Sequence, residues 1–445
     1  MKLIQLFGQL FRRLSRHGLV ALALAFPLLG FPLVANAQTD IQLWAALNPH
    51  NAAVLEKQIR QFNRSQNDAR VQLRLFDTTD NLEVALQAAA TEKKLPHLVQ
   101  LNDHRWPEGV AAKPYIQPLY SLLQKQKVGA VNWFIAPEYG FVRDSQGRLL
   151  ALPYMAEVPL MFYNRDAFKK AGLGSQSPKR SWQGLQDQLV DLANKATRQC
   201  PATTDQPVSI NLENLAAVNN QFFVSNDNGH KSKATPAFTF DVVYVRHLAL
   251  MIAWVRTELL VGPGLDHFAV ERFADNECSV LLSVSSNLGD FRQTKGLNFG
   301  VSGLPYYPQV TEVPGNPFLE GSGLWATAGH AADAEKAMAN FVVWLTQPDQ
   351  ASQWHQETGF IPLTQEAFAQ TPEAYYQALG DWRHLVEVYQ KAPSSTGRGF
   401  RVNNYPKVRT MFQETLRDAL NGQQTAAAAL SAAAAEAAKL LETAK

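Results

Sequence analysis

The sequence predicts an α/β protein with two cores. Apolar runs with strand periodicity alternate with helical ones from residue 41 onward, the rhythm of right-handed βαβ units around a parallel-rich sheet. Isolated strand patterns return after a helix-rich middle. The chain has 445 residues, 46% hydrophobic and 18% charged, enough for two sizeable cores and too much for one compact domain.

The elements follow in order. Arg12, Arg13 and Arg16 precede an apolar run from Leu19 to about Val34, and Ala35-Asn36-Ala37 follows. A basic start, a short apolar stretch and a small-x-small site predict a signal peptide cleaved after Ala37. Pro27, Gly30 and Pro32 interrupt the run, which argues against a membrane anchor. Ile41–Trp44 reads as a strand, 53–62 as a helix, Val71, Leu73 and Leu75 as an alternating strand, 82–91 as a helix and Leu98–Leu101 as a third strand. Residues 149–153 and 158–163 are short apolar strands. Helices are predicted over 182–197, 242–257 and 268–274, then strands over 279–284, 298–303 and 324–327 and a helix over 331–345. The alanine-rich tail 425–445 is predicted to be a helix docked by Leu430, Leu440 and Leu441, alanine being the best helix former. Residues 201–209 and 226–236 are polar and rich in chain breakers, so both are expected to be loops.

Charge and cysteines narrow the class. The leader carries four basic residues (Lys2, Arg12, Arg13, Arg16) and no acidic one, so its loss takes the formal charge from +2 to −2. A near-neutral chain lacks the basic footprint of a nucleic-acid binder. No second apolar stretch of membrane-spanning length follows. Cys200 and Cys278 are the two cysteines. An even pair in an exported chain favours a disulfide, with two separate buried thiols as the alternative. No Cys-x-x-Cys or His-x-x-x-His spacing points to zinc, and no cofactor or metal is expected.

The stretch Phe162-Tyr163-Asn164-Arg165-Asp166-Ala167-Phe168-Lys169-Lys170-Ala171-Gly172-Leu173, followed by Ser181-Trp182, resembles the extracellular solute-binding proteins of bacterial carbohydrate importers. Physically, Asn164 ends a strand, Asp166 sits in the first helical turn and Gly172 stops the helix. Gly321-Ser322-Gly323-Leu324-Trp325, the run from Trp354 to Thr364 and the run from Gly399 to Arg409 resemble most the glycerol-3-phosphate-binding branch. Cys200 and Cys278 fall at matching places. The resemblance covers nearly all of the chain after the leader. It implies a two-lobed periplasmic binding-protein fold like that of the maltose-binding proteins, with ligand in the cleft. Crossings are expected near 153–158, 303 and 345–349. Lobe 1 would then be 38–153 plus 304–345, and lobe 2 would be 158–302 plus 346–445. The implied partners are a small polyol phosphate or sugar and the membrane permease subunits of an ABC importer, served by a monomer.

The resemblance also nominates residues. Asp103 matches an acidic acceptor of glycerol hydroxyls, Arg409 the arginine at the phosphate end, Gly321 a backbone donor position and Ser285 (or Ser283) a serine position. Guanidinium suits phosphate by donating two parallel charge-assisted hydrogen bonds. Several positions depart from the pattern. Glu157 stands where a serine is expected and Phe360 where a ring carries a hydroxyl. Thr79–Asp80 lack a tyrosine, and Gln206 and Ser209 fall where tryptophans precede Leu212-Glu213-Asn214. A carboxylate about 4 Å from a phosphate charge would cost roughly 4 kcal/mol at an effective dielectric of 20, about three decades of affinity. Either Glu157 points away, or it pairs with Arg409, or the ligand is a glycerophosphodiester, a sugar or a polyol. Trp44, Tyr154, Trp182 and Trp325 are candidate stacking rings, Trp44 and Tyr154 foremost.

An enzyme is the competing class. Asp103 and Glu157 resemble an acid–base pair only by residue type. Gly-x-Ser-x-Gly, His-Glu-x-x-His and Walker-loop motifs are missing from the sequence. His355-Gln356-Glu357 is expected on a lobe-surface helix, and no enzymatic activity is expected.

Overall fold

The structure, a computed structural model, describes residues 38–102, 105–174, 177–196, 199–231, 234–263 and 268–442. The leader lies outside them, and so does its predicted cleavage site.

The strands are β1 (Thr39–Ala45), β2 (Ala69–Leu75), β3 (Leu98–Leu101), β4 (Ile116–Gln117), β5 (Leu152–Glu157), β6 (Pro159–Asn164), β7 (Cys200–Thr204), β8 (Cys278–Val284), β9 (Phe299–Ser302) and β10 (Glu320–Thr327). They form two sheets. The first runs β2-β1-β3-β10-β4, with β5 also on β10, and the second runs β7-β8-β6-β9. In the first sheet β1 pairs in parallel with β2 and β3, and β10 runs antiparallel to β3, β4 and β5. The chain passes from one sheet to the other at Val158, between β5 and β6, and returns between β9 and β10.

Local chemistry fixes the element ends. Asn48 caps helix Pro49–Ser65 by accepting from the Asn51 amide at 2.8 Å, and Pro49 supplies the preset first-turn φ. Asn164 leaves β6 and caps helix Arg165–Lys170 through the Ala167 amide at 2.8 Å. Gly172 ends that turn at φ +79 and donates to Lys169 while Leu173 donates to Phe168, a left-handed stop that glycine adopts without strain.

One core cluster joins the first sheet to helices 49–65, 332–345 and 348–358 and to one face of the second sheet. The other joins the opposite face of the second sheet to helices 182–195, 242–256, 405–420 and 426–442. Within the first cluster, helix Pro348–Thr358 packs on helix Pro49–Ser65 and also on helix Leu288–Gln293. Segment 348–390 therefore bridges both sheets and does not return to the second alone. The tail helix Ala426–Glu442 buries Leu430 and Leu441, with Leu440 half-buried, against helices 242–256 and 405–420.

Two further expectations fail. Residues 201–204 are not loop but part of β7, the edge strand of its sheet, where a proline is tolerated because its missing donor takes no place in a central ladder. Ala202 there donates to Leu259 and accepts from Val261. His355 is not on a surface. It is fully buried and bonded through its ring to the Phe360 carbonyl and the Tyr376 hydroxyl.

Cys200 and Cys278 are disulfide-bonded with Cα atoms 4.5 Å apart, as directly opposed residues of β7 and β8.

Candidate functional site

Strand ends from both sheets converge on one polar cluster. Arg105 follows β3, Glu157 ends β5, Asp205 follows β7, Ser285 and Ser286 follow β8, and Glu320 and Gly321 open β10. The π-type turn Ser209–Glu213 and helix Tyr405–Leu420 complete it. Ligands of open α/β sheets are characteristically held beyond such strand ends.

Glu213 is the hub. It is 2% exposed, and its carboxylate accepts from Arg105 at 3.1 Å, Arg409 at 3.1 Å and the Tyr405 hydroxyl at 2.7 Å. The two guanidiniums hold its pKa below the usual range against the opposing effect of burial. Arg105 lies over the Phe400 ring at 4.1 Å and near Phe318 at 5.6 Å. Arg409 also reaches the Gln206 side chain at 3.4 Å.

Around this hub the carboxyls outnumber the cations. Glu320 accepts from Ser209 at 2.6 Å and Asn214 at 2.8 Å, while Arg105 stands 4.0 Å away. Burial and the charge of Glu213 raise its pKa. Glu157 is half-buried and bonded to Ser286. Burial first, then the charges of Glu320 and Asp205, push its carboxyl up to about 8. Arg409 thus pairs with Glu213 and not with Glu157, which corrects that alternative.

The other nominated residues fall as follows. Asp103 and its neighbour His104 lie outside the described residues. Ser285 is buried and its hydroxyl accepts from the Val158 amide at 3.2 Å. Ser283, the other register, is buried one strand position pair away and accepts from Asn287 at 2.9 Å. Gly321 sits at φ +89, and a Cβ there would lie 2.1 Å from the Met155 carbonyl and 3.1 Å from Glu157 Cγ. Its missing side chain makes room for β5 and for Glu157.

The rings are core. Tyr154 stacks on Trp354 (4.4 Å, 10°) and Phe360 on the same indole (5.4 Å, 15°). The Tyr154 hydroxyl bonds Gln58 inside the fold, so Tyr154 is a core ring and not an open platform. Trp44 is 5% exposed, lying against Phe76 at 5.3 Å with the Arg74 guanidinium 4.7 Å over it. Trp182 and Trp325 are fully buried. Asp80 stands exposed in the first turn of helix Thr79–Glu92.

Sequence reasoning missed Glu213, Glu320, Arg105 and Asp205. The buried charges of Glu213, Glu320 and Arg105 read like solvated ones until their partners, some 100 or more residues away, are known.

A family profile described as bacterial extracellular solute-binding protein matches residues 57–380. Among curated proteins, the sn-glycerol-3-phosphate-binding periplasmic protein UgpB of Rhizobium meliloti is 30% identical, over 90% of this chain and 93% of its own. The protein of the same name from Escherichia coli is 27% identical, over 91% and 93%. Among solved structures, UgpB of Mycobacterium tuberculosis in complex with glycerophosphocholine superposes with TM-score 0.72 at 16% identity, over 91% of this chain and 99% of that one. Maltose-bound MalE3 of T. maritima gives 0.71 at 18%, over 91% and 100%. These likenesses give the two-lobed fold of the maltose-binding proteins, and by profile and relatives together the chain belongs to the bacterial extracellular solute-binding protein family.

Proposed function

We propose that this protein is the periplasmic substrate-binding subunit of an ABC importer, acting as a monomer, without enzymatic activity, after removal of residues 1–37. It captures a glycerophosphate-class solute, a glycerophosphodiester in preference to glycerol-3-phosphate, and presents it to the membrane permease. One observation carries the reading: two guanidiniums and four carboxyls meet where strand ends of both sheets face each other. Arg409, with Arg105 beside it, is the anion end of the site, and Asp103, Glu157 and Glu320 are the hydroxyl or cation end. Ser285 and Gly321 shape the wall between them, with Phe360 behind it in the core. The relatives' names favour the glycerol-phosphate branch, and the surplus of carboxyls favours a ligand with one negative charge over one with two. That same surplus supports a second reading, a neutral sugar or polyol held through its hydroxyls.

Calorimetry on residues 38–445 tests this with glycerophosphocholine, glycerol-3-phosphate, maltose and glycerol. Micromolar binding of the diester, weakened about a hundredfold by Arg409→Ala through loss of a charge-assisted pair, is the expected result. Binding of maltose alone would transfer the protein to the sugar branch. No binding by any of the four would remove the reading.

A further inference from the structure

The geometry points to Glu157 and Glu320 as a carboxyl pair that shares one proton and so sets the charge the cleft accepts. The protonated carboxyl donates to a ligand oxygen carrying at most one negative charge, as in a phosphodiester, and a dianionic monoester is disfavoured. This deepens, and rests on, the reading of the cluster as the ligand site.

The pairing is built into the ladder. Glu157 and Glu320 are directly opposed in the antiparallel β5–β10 register, so their side chains leave the same face with Cβ atoms about 4.5–5.5 Å apart. Gly321, next to Glu320, leaves the space into which Glu157 Cγ fits, 3.1 Å from where a Cβ would stand. Glu320 is 7% exposed, and one of its oxygens already accepts from Ser209 and Asn214.

The nearby cations serve Glu213 first: both guanidiniums also favour the ionised form of Glu320, but burial and the charge of Glu213 outweigh them. Arg105 and Arg409 both bind Glu213 at 3.1 Å, and Arg105 is 4.0 Å from Glu320. From β7 the charge of Asp205 faces Glu157, and from β8 only the hydroxyl and amide of Ser286 favour its ionised form. Two carboxyls set this close disfavour double ionisation and raise a pKa of the pair, and both groups are shifted upward.

The consequence is chemical. A protonated carboxyl is a donor where a carboxylate is only an acceptor. At neutral pH the pair gives one donor and one charge, and above its upper titration it gives two charges and no donor.

The test uses residues 38–445 with 13C-labelled glutamate carboxyls, titrated without ligand from pH 5 to 9.5. A carboxyl resonance titrating near pH 8, lost in Glu157→Gln and moved at least one pH unit lower in Glu320→Gln, is expected. A wild-type protein whose glutamates all titrate in the ordinary range, or a resonance indifferent to Glu320→Gln, would overturn the pair. In parallel, calorimetry compares glycerophosphocholine with glycerol-3-phosphate at pH 6 and 9. Wild type should prefer the diester by about tenfold or more, and Glu157→Gln should bring the ratio close to one. An unchanged ratio in Glu157→Gln would remove the selectivity role. If neither ligand binds, the glycerophosphate reading falls while the titration still decides the pair.

Discussion

At the scale of residues, the charges that matter are those whose partners are fixed. Glu213 accepts from both Arg105 and Arg409, offsetting one of their two charges, and receives the Tyr405 hydroxyl. Glu213→Ala leaves the buried Arg105 with Glu320, 4.0 Å away, and strips the part-exposed Arg409 of its carboxylate. Breaking a buried ion pair costs about 3–5 kcal/mol, and the remaining partner puts the expected loss at the lower end. Urea denaturation should show that loss, and Glu213→Gln, which keeps the shape and one acceptor, should lose less. Two histidines extend the argument to pH. His247 and His355 are both fully buried, and burial lowers their pKa values to about 3 and about 4. The unfolded chain takes up protons at these residues below about pH 6.5, while the folded chain takes up none until about 4. Unfolding therefore binds protons in that window, and stability falls as the pH falls from 6.5 toward 4. The loss is about 1.4 kcal/mol per pH unit for each histidine. Chemical denaturation at pH 7 and 5 checks the sign, and replacing His247 by Gln should flatten the slope.

At the scale of elements, the β5–β10 pair and the tail helix behave differently. Gly321→Ala forces a Cβ onto the Met155 carbonyl at 2.1 Å and a side chain into φ +89. The ladder must shift there, with a loss of about 1–3 kcal/mol from strain alone, readable as a lower denaturation midpoint. The tail helix covers helices 242–256 and 405–420 with Ala429, Leu430, Ala433, Ala437 and Leu441. Truncation before Ala426 bares that apolar face, and the shortened chain should bind a hydrophobic dye and aggregate where the full chain does not. Much at this scale was legible beforehand. Caps such as Asn164 and stops such as Gly172 act within one turn, so their residue types announce them. The tail was legible because a run of alanine allows little except helix. β7 was not, because its strand character comes from lying beside β8 at a sheet edge, where Pro201 is tolerated. The site was half legible. Arg409 and Glu157 stood out by matching or breaking a family pattern, whereas Glu320 gains its meaning only from the register that sets it opposite Glu157. Tyr154 misled because a ring at a strand end reads the same whether it faces a cleft or, as here, Trp354.

At the scale of the whole molecule, the two sheets are linked by covalent crossings and by side chains. The disulfide lies within the second sheet, 78 residues apart in sequence, and on the chain-entropy model contributes about 4 kcal/mol. Reduction should lower the unfolding midpoint without moving one sheet against the other. The Arg105–Glu213 pair is different, for it joins the end of β3 in the first sheet to the turn that follows β7 in the second. It therefore ties strand ends of the two sheets together by the protein's own charges, before any ligand adds contacts from both sides, and favours an arrangement with those ends close over one with them apart. A ligand shifts such an equilibrium only by its differential affinity for the two arrangements, and apparent affinity scales with the fraction already competent. Arg105→Ala should raise the radius of gyration of the ligand-free protein in small-angle scattering, and saturating ligand should return it to the wild-type liganded value. Affinity should fall about tenfold if roughly 1.4 kcal/mol of closure is lost. An unchanged ligand-free radius would mean that the covalent crossings and the apolar contacts of segment 348–390 set the closure. The ion pair would then be left to position Arg409.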